Sequence, residues 1–153
     1  MLQIIEVCYE KRCEKSTLVK PPVVVLYHRR LFDLKINEYG KLYVAEITAG
    51  RISKVDPATG NKVVFFVGVA GKPNAIGNDG SGNLIILDGA SQKLFQLNTK
   101  NLALALIATD LPVGYSVVGS YPPIEFPWPM AVTAKGEVYI ATMNRGIIKL
   151  RKK

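Results

Sequence analysis

Groups able to do chemistry are few in this chain and widely spaced. Its one histidine, His28, lies between Tyr27 and Arg29 in a basic stretch. A catalytic histidine needs an orienting partner and a nucleophile within hydrogen-bond reach, yet Ser116 and Ser120 lack nucleophile-elbow surroundings. A surface or strand-edge histidine is the expectation. Cys8 and Cys13 have no second Cys or His pair to complete a zinc site, and read as cytoplasmic thiols. A bond between them would need close approach of their backbones. The run Asn78–Gly82 has neither the acidic spacing of a calcium loop nor the Lys and strand-to-helix setting of a phosphate loop, so it reads as a hairpin turn. What remains is a set of oxygen-bearing side chains at the ends of apolar runs, Glu46, Asp88 and Thr142, with Asn74 ahead of another run. Carboxylates at strand ends commonly accept backbone N–H bonds in turns, and Asn74 after Pro73 could equally shape its own loop. Tyr115, Tyr121, Phe126 and Trp128 fall among several prolines between Gly114 and Pro129. Aromatic, proline-stiffened loops make a binding rim with little ordering cost.

The elements that must position these groups form an internal repeat. Gly40, Gly82 and Gly136 are each followed by one residue and then an apolar run, Leu42–Ala45, Leu84–Leu87 and Val138–Ala141. A second pattern comes after a short turn, at Ile52–Val55, Leu94–Leu97 and Ile147–Leu150. Another short strand precedes each glycine, at Leu34–Ile36, Asn74–Ile76 and Met130–Val132. Fourth strands fit Lys62–Val67 and Leu102–Ala108. The glycines are 42 and 54 residues apart, and a period of about 40 to 50 residues suits four-stranded propeller blades. The excess in the second interval reads as an insertion at 114–129. The second strands are almost continuously apolar, as expected of a sheet covered on both faces. Helical periodicity is hardly visible, and Pro and Gly punctuate the chain. The fold class is therefore all-β, a partial β-propeller of about three four-stranded antiparallel blades at 31–153, preceded by extra strands in 1–30.

The third unit has no fourth strand, so strands from 1–30 are expected to complete a blade in cis or in trans. Three blades would each have to turn roughly 120° about the axis, whereas rings use about four to eight. An open stack leaves sheet faces exposed. Dimerisation closing a six-bladed ring is one expectation; a longer propeller, of which this chain is part, is the other. At 153 residues and 48% apolar, the chain suits one ordinary domain and not a disordered one. No apolar run approaches the ~20 residues of a membrane-spanning helix. The start lacks a signal-peptide pattern, which with the thiols suggests a cytoplasmic protein. The net charge of +8 could attract anionic partners, but the basic residues are dispersed, apart from His28–Arg30 and Arg151–Lys153. No aromatic-basic module for reading nucleic acid is present.

The segment Tyr39–Glu46, followed by Arg51–Gly60, resembles NHL-type repeats. It is equally similar to blades of the gluconolactonase, strictosidine-synthase-like and streptogramin-lyase families, which share G-x-L-Y-V-A-[DE] and then R-I-x-[KR]-[VI]-D-P-x-T-G. Lys72–Ile76 likewise resembles the start of an inner strand in gluconolactonase-like blades. The resemblance spans about Leu31 to Leu150, and it is specific for fold while leaving activity open. In such propellers the inner strand starts, and the second strand ends, on the top face. That topology gathers Asn74, Glu46, Asp88, Thr142 and Asn144 near one mouth, with the insertion emerging beside them. In gluconolactonase-like enzymes, carboxylate and Asn oxygens hold a central divalent cation such as calcium, which polarises a lactone carbonyl or activates water. The resemblance thus implies Asn74 and Asp33 as candidate metal ligands, while Met130 suits a hard cation poorly.

Two readings follow. The favoured one is a non-catalytic binding module that recognises a small ligand or a protein through top-face loops, using Asn74, Glu46, Asp88, Asn144, Tyr115, Tyr121, Phe126 and Trp128. The alternative is a divalent-metal-dependent lactonase or related hydrolase. Streptogramin-lyase-type chemistry would want a histidine base beside a metal, and one histidine per chain speaks against it.

Overall fold

The computed structural model describes residues 31–36, 40–69, 71–113, 129–142 and 146–151, and of residues 31–33 and 36 the backbone alone. The N-terminal strands expected in 1–30, with Cys8, Cys13 and His28, lie outside the described residues. So do Ser116, Ser120, Tyr115, Tyr121, Phe126, Trp128 and Asn144. The described chain forms β1 (Leu31–Ile36), β2 (Leu42–Glu46), β3 (Arg51–Val55), β4 (Lys62–Val67), β5 (Pro73–Asn78), β6 (Asn83–Asp88), β7 (Lys93–Asn98), β8 (Leu104–Ala108), β9 (Met130–Val132), β10 (Val138–Ala141) and β11 (Ile147–Leu150), with one 3-10 turn at Ile47–Ala49. Among the described residues no helix is long and apolar enough to cross a membrane.

The strands make three antiparallel sheets in chain order, β1-β2-β3-β4, β5-β6-β7-β8 and β9-β10-β11. These are the three repeat units of the sequence, here called blades 1, 2 and 3. The recurring glycines mark where each second strand begins. Gly40, Gly82 and Gly136 hold φ of 71°, 81° and 76°, the left-handed region that costs a side chain most. Irregularities recur too. Phe32 in β1 and Asn74 in β5 are extra residues opposite β2 and β6, while Phe65 in β4 and Ile107 in β8 are extra residues opposite β3 and β7. Such bulges bend a strand and raise its local twist. The bulge at Phe65 lets it and Phe66 both pack toward blade 2.

Each blade has a leading face, toward the preceding blade, and a trailing face. Strand alternation separates them. Tyr43, Ala45 and Ile52 on the trailing face of blade 1 pack with Ile76, Leu84, Ile86, Phe95 and Leu97 on the leading face of blade 2. On the other side of blade 2, Ala75, Ile85, Leu87 and Leu94 pack with Met130, Val138 and Ile140 of blade 3. The middle blade is covered on both faces, which is why β6 is a continuous apolar run. The near-complete burial of Leu84, Ile86, Leu87, Leu94 and Leu97 stabilises these two cores by about 1.5–3 kcal/mol per side chain.

Register aligns the inner strands differently from the expectation. Leu34 pairs with Val44, Ile76 with Ile86 and Met130 with Ile140. Leu34, Ile76 and Met130 are therefore equivalent, each six residues before its glycine. The match of Asn74 with Leu34 and Met130 is thus two residues out: Asn74 stands eight residues before Gly82, as Phe32 stands before Gly40.

Candidate functional site

The inner strands start, the second strands end and the third strands start at one end of the blades. Leu31 pairs with Glu46 and Glu46 with Arg51 in blade 1; Pro73 pairs with Asp88 and Asp88 with Lys93 in blade 2. Glu46 and Asp88 thus hold the same register position in adjacent blades. In blade 3 this position falls to Thr142, immediately after β10.

All three serve local structure, in different ways. Asp88 is fully buried. Its Oδ1 accepts the N–H groups of Ala90 at 3.1 Å and Ser91 at 3.2 Å, and its Oδ2 accepts the Ser91 hydroxyl at 2.6 Å. The carboxylate lies over Gly71, where a Cβ would meet Oδ2 at 1.6 Å. The segment leading into β5 can approach only because residue 71 has no side chain. Thr142 closes the β10–β11 turn, its Oγ1 accepting the Gly146 N–H at 3.0 Å.

Glu46 is 2% exposed and turns onto the leading face of blade 1. Its Oε2 accepts Arg51 Nη2 at 2.9 Å and Nε at 3.2 Å, and its Oε1 accepts Lys62 Nζ at 3.3 Å and the Ser53 hydroxyl. Burial by itself raises the carboxyl pKa. The hydrogen bonds from Ser53, Arg51 and Lys62, with the Lys62 charge, outweigh it and hold the pKa at about 2. Ser53, Arg51 and Lys62 were not legible as partners. A signal did exist, because the positions of Ser53 and Lys62 carry Phe95 and Leu104 in blade 2.

Asn74 is buried, and its Oδ1 accepts the Gly89 N–H at 2.8 Å. The bulged residue at the start of β5 is thereby tied to the turn after β6. Asp33 pairs with Ala45, as Ala75 does with Leu87, so the counterpart of Asn74 in blade 1 is Phe32. Asp33 and Asn74 do not share a register position. Among the described residues, no three His, Cys, Asp or Glu side chains come together as a metal would require. The described donors are a poor fit to a hard cation, since the oxygens of Glu46 and Asp88 and Oδ1 of Asn74 already take N–H and O–H groups of the chain.

At the opposite end, Asp79 is buried and accepts bonds from Ser81 N, Asn83 N, Asn83 Nδ2 and Gln96 Nε2. Burial raises its pKa, and these bonds bring the net value below the ordinary carboxylate range. This is the expected hairpin turn.

The described stems of the insertion share an anchor. Beyond β8 the chain crosses the β6–β7 turn, with Leu111 N donating to Gln92 O at 3.1 Å. Leu111 and Val113 are buried in the blade 2–blade 3 core, and Met130, just after the insertion, is buried in the same core.

Similarity to solved structures agrees with this architecture. A chain of a nidogen/laminin complex matches with a TM-score of 0.61 and 12% identity over 79% of this chain and 44% of that one. The virginiamycin B lyase of Staphylococcus aureus matches with a TM-score of 0.52 and 11% identity, over 80% and 41%. A streptogramin B lyase matches at 0.50 and 15%, over 80% and 40%. The described sheets are β-propeller blades. This chain spans about two-fifths of the length of these propellers, which include both a protein from a binding complex and enzymes. No protein-family profile and no curated protein matches the sequence.

Proposed function

We propose that this chain is a non-catalytic propeller module that binds a small ligand or a protein through its top-face loops. A second copy closes its ring and completes the mouth. The observation that carries the reading is the state of the strand-end oxygens. Glu46, Asp88 and Asn74 are engaged by donors of the chain itself, so they shape the rim. Recognition then falls to the side chains that the rim presents. The segment with Tyr115, Tyr121, Phe126 and Trp128 supplies the aromatic surface, and its stems are anchored in one core. The second reading is a divalent-metal-dependent lactonase with Asn74 and Asp33 as its ligands, which would require Asn74 Oδ1 to give up the Gly89 N–H.

Trp128 is the sole tryptophan, so its emission reports on this segment directly. Titration with a small-molecule library should shift that emission for at least one compound. Trp128→Ala and Tyr121→Ala should weaken binding of that compound, measured by calorimetry, about tenfold or more. Unchanged affinity in both variants would refute the site. Heat on titration with calcium, zinc or manganese, together with lactone hydrolysis, would favour the second reading instead.

A further inference from the structure

β4 and β8 are the outermost strands of blades 1 and 2. Among the described residues each pairs on one side alone, with β3 and with β7. The other side of such a strand presents a row of backbone N–H and C=O groups that a further strand can take up. Native edges are commonly blunted by proline, by charge, by short length or by a bulge. β4 has six residues, Lys62–Val67, with no proline and no glycine. Its single charge, Lys62, stands at the end of the strand and is turned to Glu46. Its bulge at Phe65 leaves regular pairing of Lys62, Val63 and Val64 before it and of Phe66 and Val67 after it.

Register divides the side chains of β4 between the two faces of blade 1. Lys62, Val64 and Val67 stand opposite Val55, Ser53 and Arg51 on the leading face, and Val63 and Phe66 opposite Lys54 and Ile52 on the trailing face. Phe65 and Phe66 pack on the blade 1–blade 2 core, the Phe65 ring edge-on to Tyr43 at 5.0 Å, so the strand is firmly held. Its valines are not covered: Val63, Val64 and Val67 are 59%, 50% and 67% exposed. Valine and phenylalanine are strong strand formers. A short segment of such residues with little charge is the composition that pairs strand to strand between chains. β8 is shorter and carries Ala105 and Ala108, so its edge offers less to a partner strand.

We propose that the outer edge of β4 pairs, antiparallel and about a twofold axis, with the same edge of a second copy of this chain. This contact is independent of the ring closure proposed above and uses a different surface. Charge selects the occupant and its direction. The strand has no carboxylate to draw a cationic segment, and its one cation is already paired with Glu46. It offers valine and phenylalanine, which another β4 complements. In a parallel pair the two Lys62 side chains would stand opposite each other, a destabilising like-charge contact. In an antiparallel pair they lie at opposite ends, and the exposed Val64 and Val67 of one copy meet those of the other on one face. The twofold closes the contact, with both edges paired.

Hydrogen exchange reads this edge directly. The β4 amides should exchange about threefold or more slowly at about 100 micromolar than at about 1 micromolar, as the second strand covers them. Val64→Lys combined with Val67→Lys sets like charges across the pair and should abolish that slowing. Both positions are exposed in the single chain, so the variant should fold, which circular dichroism checks. Val63→Lys, on the other face, should act the same way and serves if the double variant loses its fold. Leu106→Lys on β8 should keep the slowing. Exchange in β4 that does not depend on concentration overturns the proposal, even if the chain dimerises through another surface. A slowing that survives the lysines in β4, or that Leu106→Lys removes, overturns the assignment to this strand.

Discussion

Replacing Glu46 by Gln isolates the ion cluster that Glu46 forms with Arg51 and Lys62. The change keeps the shape, removes the charge, and leaves Arg51 and Lys62 facing a neutral amide. The native pKa of about 2 against an ordinary 4.5, at about 1.4 kcal/mol per pKa unit, sets a ceiling of about 3 kcal/mol. Arg51 and Lys62 are 28% and 23% exposed, so solvent screening lowers the expected loss to about 2 kcal/mol at neutral pH. Because the folded-state pKa is depressed, this stability is fully present above the unfolded value near 4.5. It is lost as pH falls through the folded value near 2. Once protonated, the wild-type side chain is nearly isosteric with Gln, and the two proteins should converge. Urea unfolding of both proteins between pH 7 and pH 2 measures the gap. A difference below about 0.5 kcal/mol at pH 7, or one that persists undiminished at pH 2, would refute the assignment of Glu46 as a charge stabilised by its three donors.

Two further perturbations test how the blades meet. A Cβ at Gly77 would lie 2.4 Å from Val132 Cγ2 and 3.1 Å from Val132 Cβ, so Gly77→Ala should destabilise by about 1–3 kcal/mol; adding Val132→Ala should relieve part of that, and strictly additive losses in urea unfolding would argue against the contact. Asn74→Ala should leave the buried Gly89 N–H without its acceptor and cost about 1–3 kcal/mol, while Asn74→Asp keeps an acceptor and should cost less by thermal unfolding; equal losses would mean that the bond to Gly89 is not what holds this bulge.

The blade repeat was legible because its signals are local. A left-handed glycine, an apolar second strand and a polar turn each act within a few residues, and Lys62–Val67 was read at its observed bounds. The fourth strand of blade 2 starts at Leu104 and not at Leu102, which holds φ of 60° where its N–H donates to Asn98 O. The bulges were not legible. An extra residue changes pairing without changing composition. Asn74 and Asp33 looked equivalent because the short inner strands were matched by residue type and not by distance to the glycine, which is eight residues for Asn74 and seven for Asp33. The site was legible only as positions. That Glu46 and Asp88 end equivalent strands follows from the repeat, but which donors they take depends on register and on the chemistry of the face. Ser53 beside Glu46, at the position where blade 2 has Phe95, is such a difference.

The same register explains why the blades follow in this order. The blade 1–blade 2 core sets the small Ala45 on one face and the large Phe95 on the other. The blade 2–blade 3 core has Leu87 at the Ala45 position and Ile148 at the Phe95 position. A large residue comes with a small one, and two middle-sized residues come together, which fills each interface without voids or overlap. Exchanging the mates would set Ala45 toward Ile148, leaving a cavity, or crowd Leu87 against Phe95; either mismatch costs about 1–3 kcal/mol. Ala141 repeats the small member of the first pair. Beside it Ile147, the counterpart of the buried Ile52, is 75% exposed.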